Sequence, residues 1–369
     1  MVSRILFFLL TISVTGLCVA QKPEDEQEEE LASEEPAGIE QAGTQFYRSP
    51  EERREAGLGT QITDWLKVSG LIELEREQAT FRLIDGVEFT EKEPLSKNIQ
   101  LALDLTISED LEAEVVLEVE KTDFTRSIVD EAAITWDIDE WSISAGMMSP
   151  SFGEYYSHLI VGPLLEFGET RAATLSVDYG LSDNWEIGAF IFRGQKGTQT
   201  NSGNIDWGLM TEWVNEDESM RFGLSYLSDL AESDENLLQE YEFYQQSVDA
   251  ISAYGFWGFE QFEITLEMVS ALKAFQEFDA QQNKPKAYNA ELAYYPSENL
   301  QLAIRYEISR ELIDSPHTRI GMGVRWLAFP QMSIGIDYLY GEYNQIIEDE
   351  EEVPIDHEHV LAAQISIEF

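Results

Sequence analysis

From residue 66 onward the chain alternates apolar and polar positions with a period of two, the spacing of strands whose two faces meet unlike surroundings. Leu66, Val68, Gly70, Ile72 and Leu74 share one face of the first run, and Ile99, Leu101, Leu103 and Leu105 share one face of the next. A tight Ser108-Glu109-Asp110 turn then leads into Leu111, Ala113, Val115, Leu117 and Val119. The same unit recurs around Asp139, Ser182 and residues 215–219, 258–261, 297–299 and 329–331. Eight strand pairs follow, about 16 strands in all.

The occupants of the two faces decide what kind of sheet this is. Trp185, Ile187, Ala189 and Ile191 carry no charge, nor do Met220, Phe222, Leu224 and Tyr226. The same holds for Ile320, Met322, Val324 and Trp326, and for Met332, Ile334, Ile336 and Tyr338. Their intervening neighbours include Glu186, Arg221, Arg319, Arg325, Ser333 and Asp337. A soluble sandwich would bury such an apolar face between two sheets. In lipid, where every backbone group must pair internally, strands survive only as a closed barrel with hydrocarbon outside and water inside.

Two features favour the barrel. Aromatic residues collect at strand ends (Trp136, Trp141, Tyr179, Trp185, Trp207, Trp213, Tyr294, Tyr306, Trp326 and Tyr338), the level of the bilayer interfaces. Short turns also alternate with long connections at 77–95, 148–170, 194–204, 229–245, 271–284 and 342–357, as expected of periplasmic turns and external loops. The fold class is therefore all-β, a transmembrane antiparallel β-barrel. Leu361, Ala363, Ile365, Ile367 and the terminal Phe369 resemble the last strand of outer-membrane proteins, which the barrel assembly machinery reads.

Upstream of the alternation the chain changes character. Arg4 followed by the apolar stretch from Ile5 to Cys18 and the small-residue site Cys18-Val19-Ala20 reads as a signal peptide over residues 1–20, cleaved on export to the outer membrane. Residues 21–61 are acidic and lack apolar periodicity, which predicts a largely disordered periplasmic segment, with Ser49-Pro50-Glu51-Glu52 as a short helix start. The barrel is expected over 62–369. No later stretch approaches the ~20 apolar residues of a spanning helix. Cys18 is the only cysteine, so the mature chain carries no disulfide and no thiolate metal site.

The formal net charge is -48, from 71 acidic against 23 basic residues, which excludes nucleic acid as a partner because a phosphate backbone needs a basic footprint. Catalytic sets are missing as well. His158, His317, His357 and His359 fall mainly in or beside long loops and are expected at the surface, and no Ser-His-Asp set can be placed from spacing. His357-Glu358-His359, after Glu348 to Glu352 and Asp356, is the strongest metal-like cluster, yet it lacks the spacing and internal glycine of a calcium loop. The reading is a protein that is not an enzyme and needs neither cofactor nor metal. Its external loops would meet outer-membrane lipid and lipopolysaccharide, with divalent cations as loose bridges.

Strand parity sends particular charges inward. Glu112, Glu114, Glu118 and Glu120 project from the third strand, and Arg305, Arg319 and Arg325 from the thirteenth and fourteenth, so acidic and basic walls are expected to face each other across the lumen. Paired charges on neighbouring strands are the alternative. The loop over residues 148–170 carries Phe152, Tyr155, Tyr156, Leu159, Ile160, Val161, Leu164, Leu165 and Phe167, too apolar for an exposed loop. Folded into the barrel it would narrow the pore, with Glu154, Tyr155, Tyr156, Glu166, Glu169 and Arg171 as candidate constriction residues.

This loop also carries a family likeness. Ser151-Phe152-Gly153-Glu154-Tyr155-Tyr156 and Gly162-Pro163-Leu164-Leu165-Glu166-Phe167-Gly168-Glu169-Thr170-Arg171 resemble the LbtU-type siderophore porins of Gram-negative bacteria. Asp64-Trp65-Leu66-Lys67-Val68-Ser69-Gly70-Leu71-Ile72-Glu73 and Val129-Asp130-Glu131-Ala132 are similar to that family too. The resemblance implies an outer-membrane route for iron-siderophore uptake without a large plug domain. Beside it stand a general or ion-selective porin, and a non-transporting barrel whose acidic loops bind a partner or divalent cations. Whether the chain forms a homo-oligomer is open.

Overall fold

The computed structural model describes residues 59–120, 129–194, 205–233, 237–238, 244–329, 331–344 and 354–369. The alternating segments become β1 (Thr60–Thr63), β2 (Leu66–Leu83), β3 (Glu88–Lys92), β4 (Ser96–Ser108), β5 (Leu111–Glu120) and β6 (Val129–Ile138). Then come β7 (Trp141–Met148), β8 (Ala172–Ser182), β9 (Trp185–Arg193), β10 (Asp206–Val214), β11 (Met220–Leu227) and β12 (Ala250–Phe259). The series ends with β13 (Phe262–Ala271), β14 (Lys286–Ser297), β15 (Leu300–Arg310), β16 (Thr318–Phe329), β17 (Met332–Glu342) and β18 (Ile355–Glu368).

The long strands pair antiparallel in sequence order, β2 with β4 past the short β3, and β18 pairs with β2 to shut the ring. The short β1 and β3 only add to the ends of β2, so the closed wall has 16 strands, as the alternation predicts. Phe369 completes the seam: its N–H donates to the Gly70 carbonyl at 3.0 Å, and the Gly70 N–H donates back at 2.8 Å. A Cβ on Gly70 would stand 2.3 Å from the Phe369 ring, so only glycine lets the last side chain lie across the first long strand.

Among the described residues closure leaves the 16-strand wall without an open edge, which is what hydrocarbon demands. Outward positions are apolar and uncovered: Ile304, Met322, Ile336 and Leu361 are each at least half exposed. Trp136, Trp141, Trp185, Trp207 and Trp326 are exposed on the same face, and neighbouring rings touch, as in Trp141 with Tyr179 at 4.6 Å between centroids. At one end of the barrel the turns are short, and Asp139, Glu218 and Glu260 take positive φ to make them.

One boundary differs from the sequence reading. The region expected as a loop at 77–95 is mostly β-structure, because β2 runs on to Leu83 and pairs with β3. The period of two persists there, but its outward members are Gln78, Thr80 and Arg82, facing water beyond the apolar band, so the pattern loses contrast without losing pairing. No helix among the described residues is long and apolar enough to cross a membrane. The proposed signal peptide, the acidic segment up to residue 58 and the helix start at Ser49 lie outside the described residues.

Among the described residues the interior holds two apolar clusters, both built where connections between strands meet inward strand positions. One joins Phe152, Leu165 and Phe167 to Phe190, Phe192, Leu227, Val269 and Ala287. The other joins Leu159 to Ala293, Tyr295, Ala303, Leu339 and Val360.

Candidate functional site

Residues 149–171, between β7 and β8, contribute side chains to both clusters and therefore lie inside the barrel, and Leu230, Tyr244 and Phe275 of other connections join the first. A loop in that position has backbone N–H groups with no strand beside them, and each needs an acceptor. The inward faces of β13, β14, β15 and β17 provide one carboxylate after another. Glu267 accepts from the N–H of Glu154 at 2.8 Å and of Tyr155 at 3.0 Å. Glu291 accepts from the His158 N–H at 2.7 Å, and Glu307 from the Leu164 N–H at 2.5 Å. Asp337 accepts from Ile160 and, at 3.4 Å, from Val161. Six loop N–H groups are thereby satisfied by four carboxyl side chains, which hold the loop from Glu154 to Leu164.

The charge introduced by these acceptors is matched from beneath. Register places Glu291 directly opposite Arg305 and Glu307 directly opposite Arg319. Arg305 lies 3.4 Å from Glu291 and 3.1 Å from Glu307, and Arg319 lies 2.6 Å from Glu307. Both guanidinium groups also donate to the Gly162 carbonyl, at 3.2 and 2.6 Å, and Arg305 to the Ser157 hydroxyl at 3.0 Å. The Arg305 and Arg319 side chains are 0% and 8% exposed. Gly162 is fixed by packing too, since a Cβ there would meet the Glu166 carboxylate at 2.1 Å.

Two expectations change here. The basic wall does not face an acidic wall across open water at Arg305 and Arg319, because the loop lies over both and its carbonyl is bonded to them. His158 is not a surface histidine: it is buried with Nδ1 2.8 Å from Glu291 and Nε2 3.2 Å from Glu263, which also accepts from the Tyr295 hydroxyl at 2.7 Å. Burial alone would favour the neutral ring, but the hydrogen bonds and charges of Glu263 and Glu291 outweigh it and raise the His158 pKa above its ordinary value.

The other loop residues take different places. Glu154 pairs with Arg221 at 3.3 Å, and Tyr155 is held at positive φ (52°) with its hydroxyl against Gly168. Tyr156 sets its ring edge on His158 at 5.0 Å. Glu166 accepts from the Glu169 N–H at 2.9 Å, closing the 3-10 turn Leu164–Gly168. Arg171 reaches Asp130 and, at 3.6 Å, Glu131 on β6. On β5, Glu112 is exposed and Glu114 and Glu118 half-buried on the inner face, while the side chain of Glu120 lies outside the described residues. Arg325 faces inward with its Nε over Gly335.

Parity splits the metal-like cluster at the start of β18. His357 and His359 share the outward face with Leu361, with the Tyr338 hydroxyl 2.6 Å from His359, whereas Glu358 points inward to the Tyr343 hydroxyl at 2.7 Å. Among the described residues no group of three or more His, Cys, Asp or Glu is arranged to hold a metal ion. The sequence reading missed the acceptors Glu263, Glu267, Glu291, Glu307 and, as a latch, Asp337. Their inward parity was readable; apart from Glu263, which meets the His158 ring and the Tyr295 hydroxyl, they accept from backbone N–H groups, which carry no residue signature.

No family model and no curated protein matches the chain. Solved structures do. The outer-membrane channel DcaP of Acinetobacter baumannii is 10% identical with a TM-score of 0.57, over 84% of this chain and 100% of that one. An anion-selective porin from Comamonas acidovorans is 9% identical with a TM-score of 0.59, over 82% and 99%. A triple mutant of Rhodopseudomonas blastica porin is 10% identical with a TM-score of 0.53, over 82% and 100%. The chain shares the barrel fold of outer-membrane porins.

Proposed function

We propose that the protein is a diffusion channel of the outer membrane, exported by residues 1–20 and anchored by the barrel, with residues 21–61 on the periplasmic side. The observation that carries this reading is the loop latched against one wall of a closed 16-strand barrel, which narrows the interior while the opposite wall keeps exposed and half-buried polar side chains. A non-transporting barrel has no evident use for a loop held by so many inward carboxylates.

The family likeness in the loop and first strand supports a ferric siderophore as the solute, and the porin neighbours fit a general channel equally well. Single-channel recording of the purified chain in a planar bilayer, with ferric siderophores added on one side, separates these readings. Concentration-dependent block of a discrete channel is expected for a siderophore porin. Open channels indifferent to every siderophore would leave a general porin, and absence of conductance would overturn the channel reading. Glu166→Gln with Glu169→Gln should change conductance or selectivity, and an unchanged current would remove those two residues from the narrow point.

A further inference from the structure

The inner faces of the barrel arrange charge by two different rules. Under the loop, register sets acid opposite base, Glu291 with Arg305 and Glu307 with Arg319. On the uncovered side it sets acid opposite acid: Asp104 faces Glu114 between β4 and β5, and Glu186 faces Glu212 between β9 and β10. Like charges directly opposite each other destabilise a sheet. Two such pairs persist where side chains reach water, with Glu186 and Glu112 exposed and Asp104, Glu114, Glu118, Asp178 and Glu212 half-buried.

Lys67 faces Asp104 from β2, and the other donors described on this side are neutral. Gln100 donates to Glu118 at 3.5 Å, the Ser176 hydroxyl to Asp178 at 2.8 Å, and the Tyr254 hydroxyl to Glu212. Four inward arginines are engaged elsewhere, Arg305 and Arg319 beneath the loop, Arg171 on Asp130 and Glu131 and Arg221 on Glu154, while Arg325 faces inward beside Gly335. A low-dielectric wall lined by one sign of charge focuses its field into the enclosed water and concentrates counter-ions there.

We infer that the loop sets the sign of selectivity by covering arginines, leaving a carboxylate-lined path that admits cationic solutes and holds back anions. This rests on the channel reading above and specifies its solute class. For a ferric siderophore it selects a cationic chelate over an anionic one.

The test is the reversal potential of the purified full-length protein in a planar bilayer under a steep KCl gradient. A permeability ratio of potassium to chloride of about 10 or more is expected from field focusing. In Glu114→Gln with Glu212→Gln, which removes one member of each like pair, the ratio should fall severalfold. Because that change relieves repulsion, insertion should be kept, and the exposed Glu186→Gln alone provides a second, milder variant. An open channel with a ratio at or below one, or a ratio untouched by both variants, would overturn the inference while leaving the channel standing. Absence of any conductance would overturn the inference and the channel reading together.

Discussion

Beneath the loop, Arg305 is sealed between Glu291 and Glu307 with essentially no exposure; on the far side of the barrel Glu186 stands opposite Glu212 in contact with water. The two regions share strand geometry and inward parity, and differ in what lies over them. Once covered, a charge loses its hydration and must be matched by opposite charge and hydrogen bonds, which is why the β14–β16 face is built from complementary pairs. Where water remains, like charges are tolerated at modest cost and their field reaches the solute. The loop thus divides one continuous sheet into a structural wall and a selective wall.

Mutations should separate these walls by sign as well as size. Arg305→Ala leaves Glu291 and Glu307 without their central partner and should destabilise the protein by about 3–5 kcal/mol, read from chemical unfolding in detergent. A cost below about 1 kcal/mol would mean that the covered pairs are wetter than their burial implies. Glu267→Ala removes the acceptor of the Glu154 and Tyr155 N–H groups and should cost about 1–3 kcal/mol, with noisier single-channel current as the loop loosens near Gly153. A quiet channel with unchanged unfolding would show that the first anchor is dispensable.

Protonation adds a smaller lever. His158 titrates above its ordinary value of about 6.5, so its ion pairs with Glu263 and Glu291 are fully present below that value and are lost as pH rises through the raised pKa. Current noise should therefore grow on the alkaline side in the wild type and lose that pH dependence in His158→Gln. Noise that instead grows on acidification would reverse the assignment. The smallest effect carries the opposite sign: Glu186→Gln should stabilise the open wall by about 0.2–1 kcal/mol while weakening cation preference. Equal losses of stability from Arg305→Ala and Glu186→Ala would erase the distinction between the walls.

Much of this architecture is legible in the chain because a barrel strand has only two faces. In β9, Trp185, Ile187, Ala189 and Ile191 point outward and Glu186 inward, as the period of two requires. The inward course of the 148–170 loop is legible for a related reason: Phe152, Leu159, Leu165 and Phe167 need burial, and the barrel offers the nearest apolar contacts. What lies over an inward residue is not legible. Parity sends Arg305 and Glu114 into the same lumen, and only the path of a loop more than a hundred residues from Arg305 in sequence buries one and leaves the other half-exposed. His158 is lost to sequence reasoning for the same cause, since its partners Glu263 and Glu291 sit on strands with no local pattern pointing at it.

The most direct test is the single-channel conductance and reversal potential of a variant in which residues 152–168 are replaced by a short Gly-Ser linker. A loop that narrows the lumen and hides Arg305 and Arg319 predicts a severalfold larger conductance together with a weaker preference for potassium over chloride, because the arginines then face the ions. Unchanged conductance with unchanged selectivity would place the loop outside the conducting path and contradict the account.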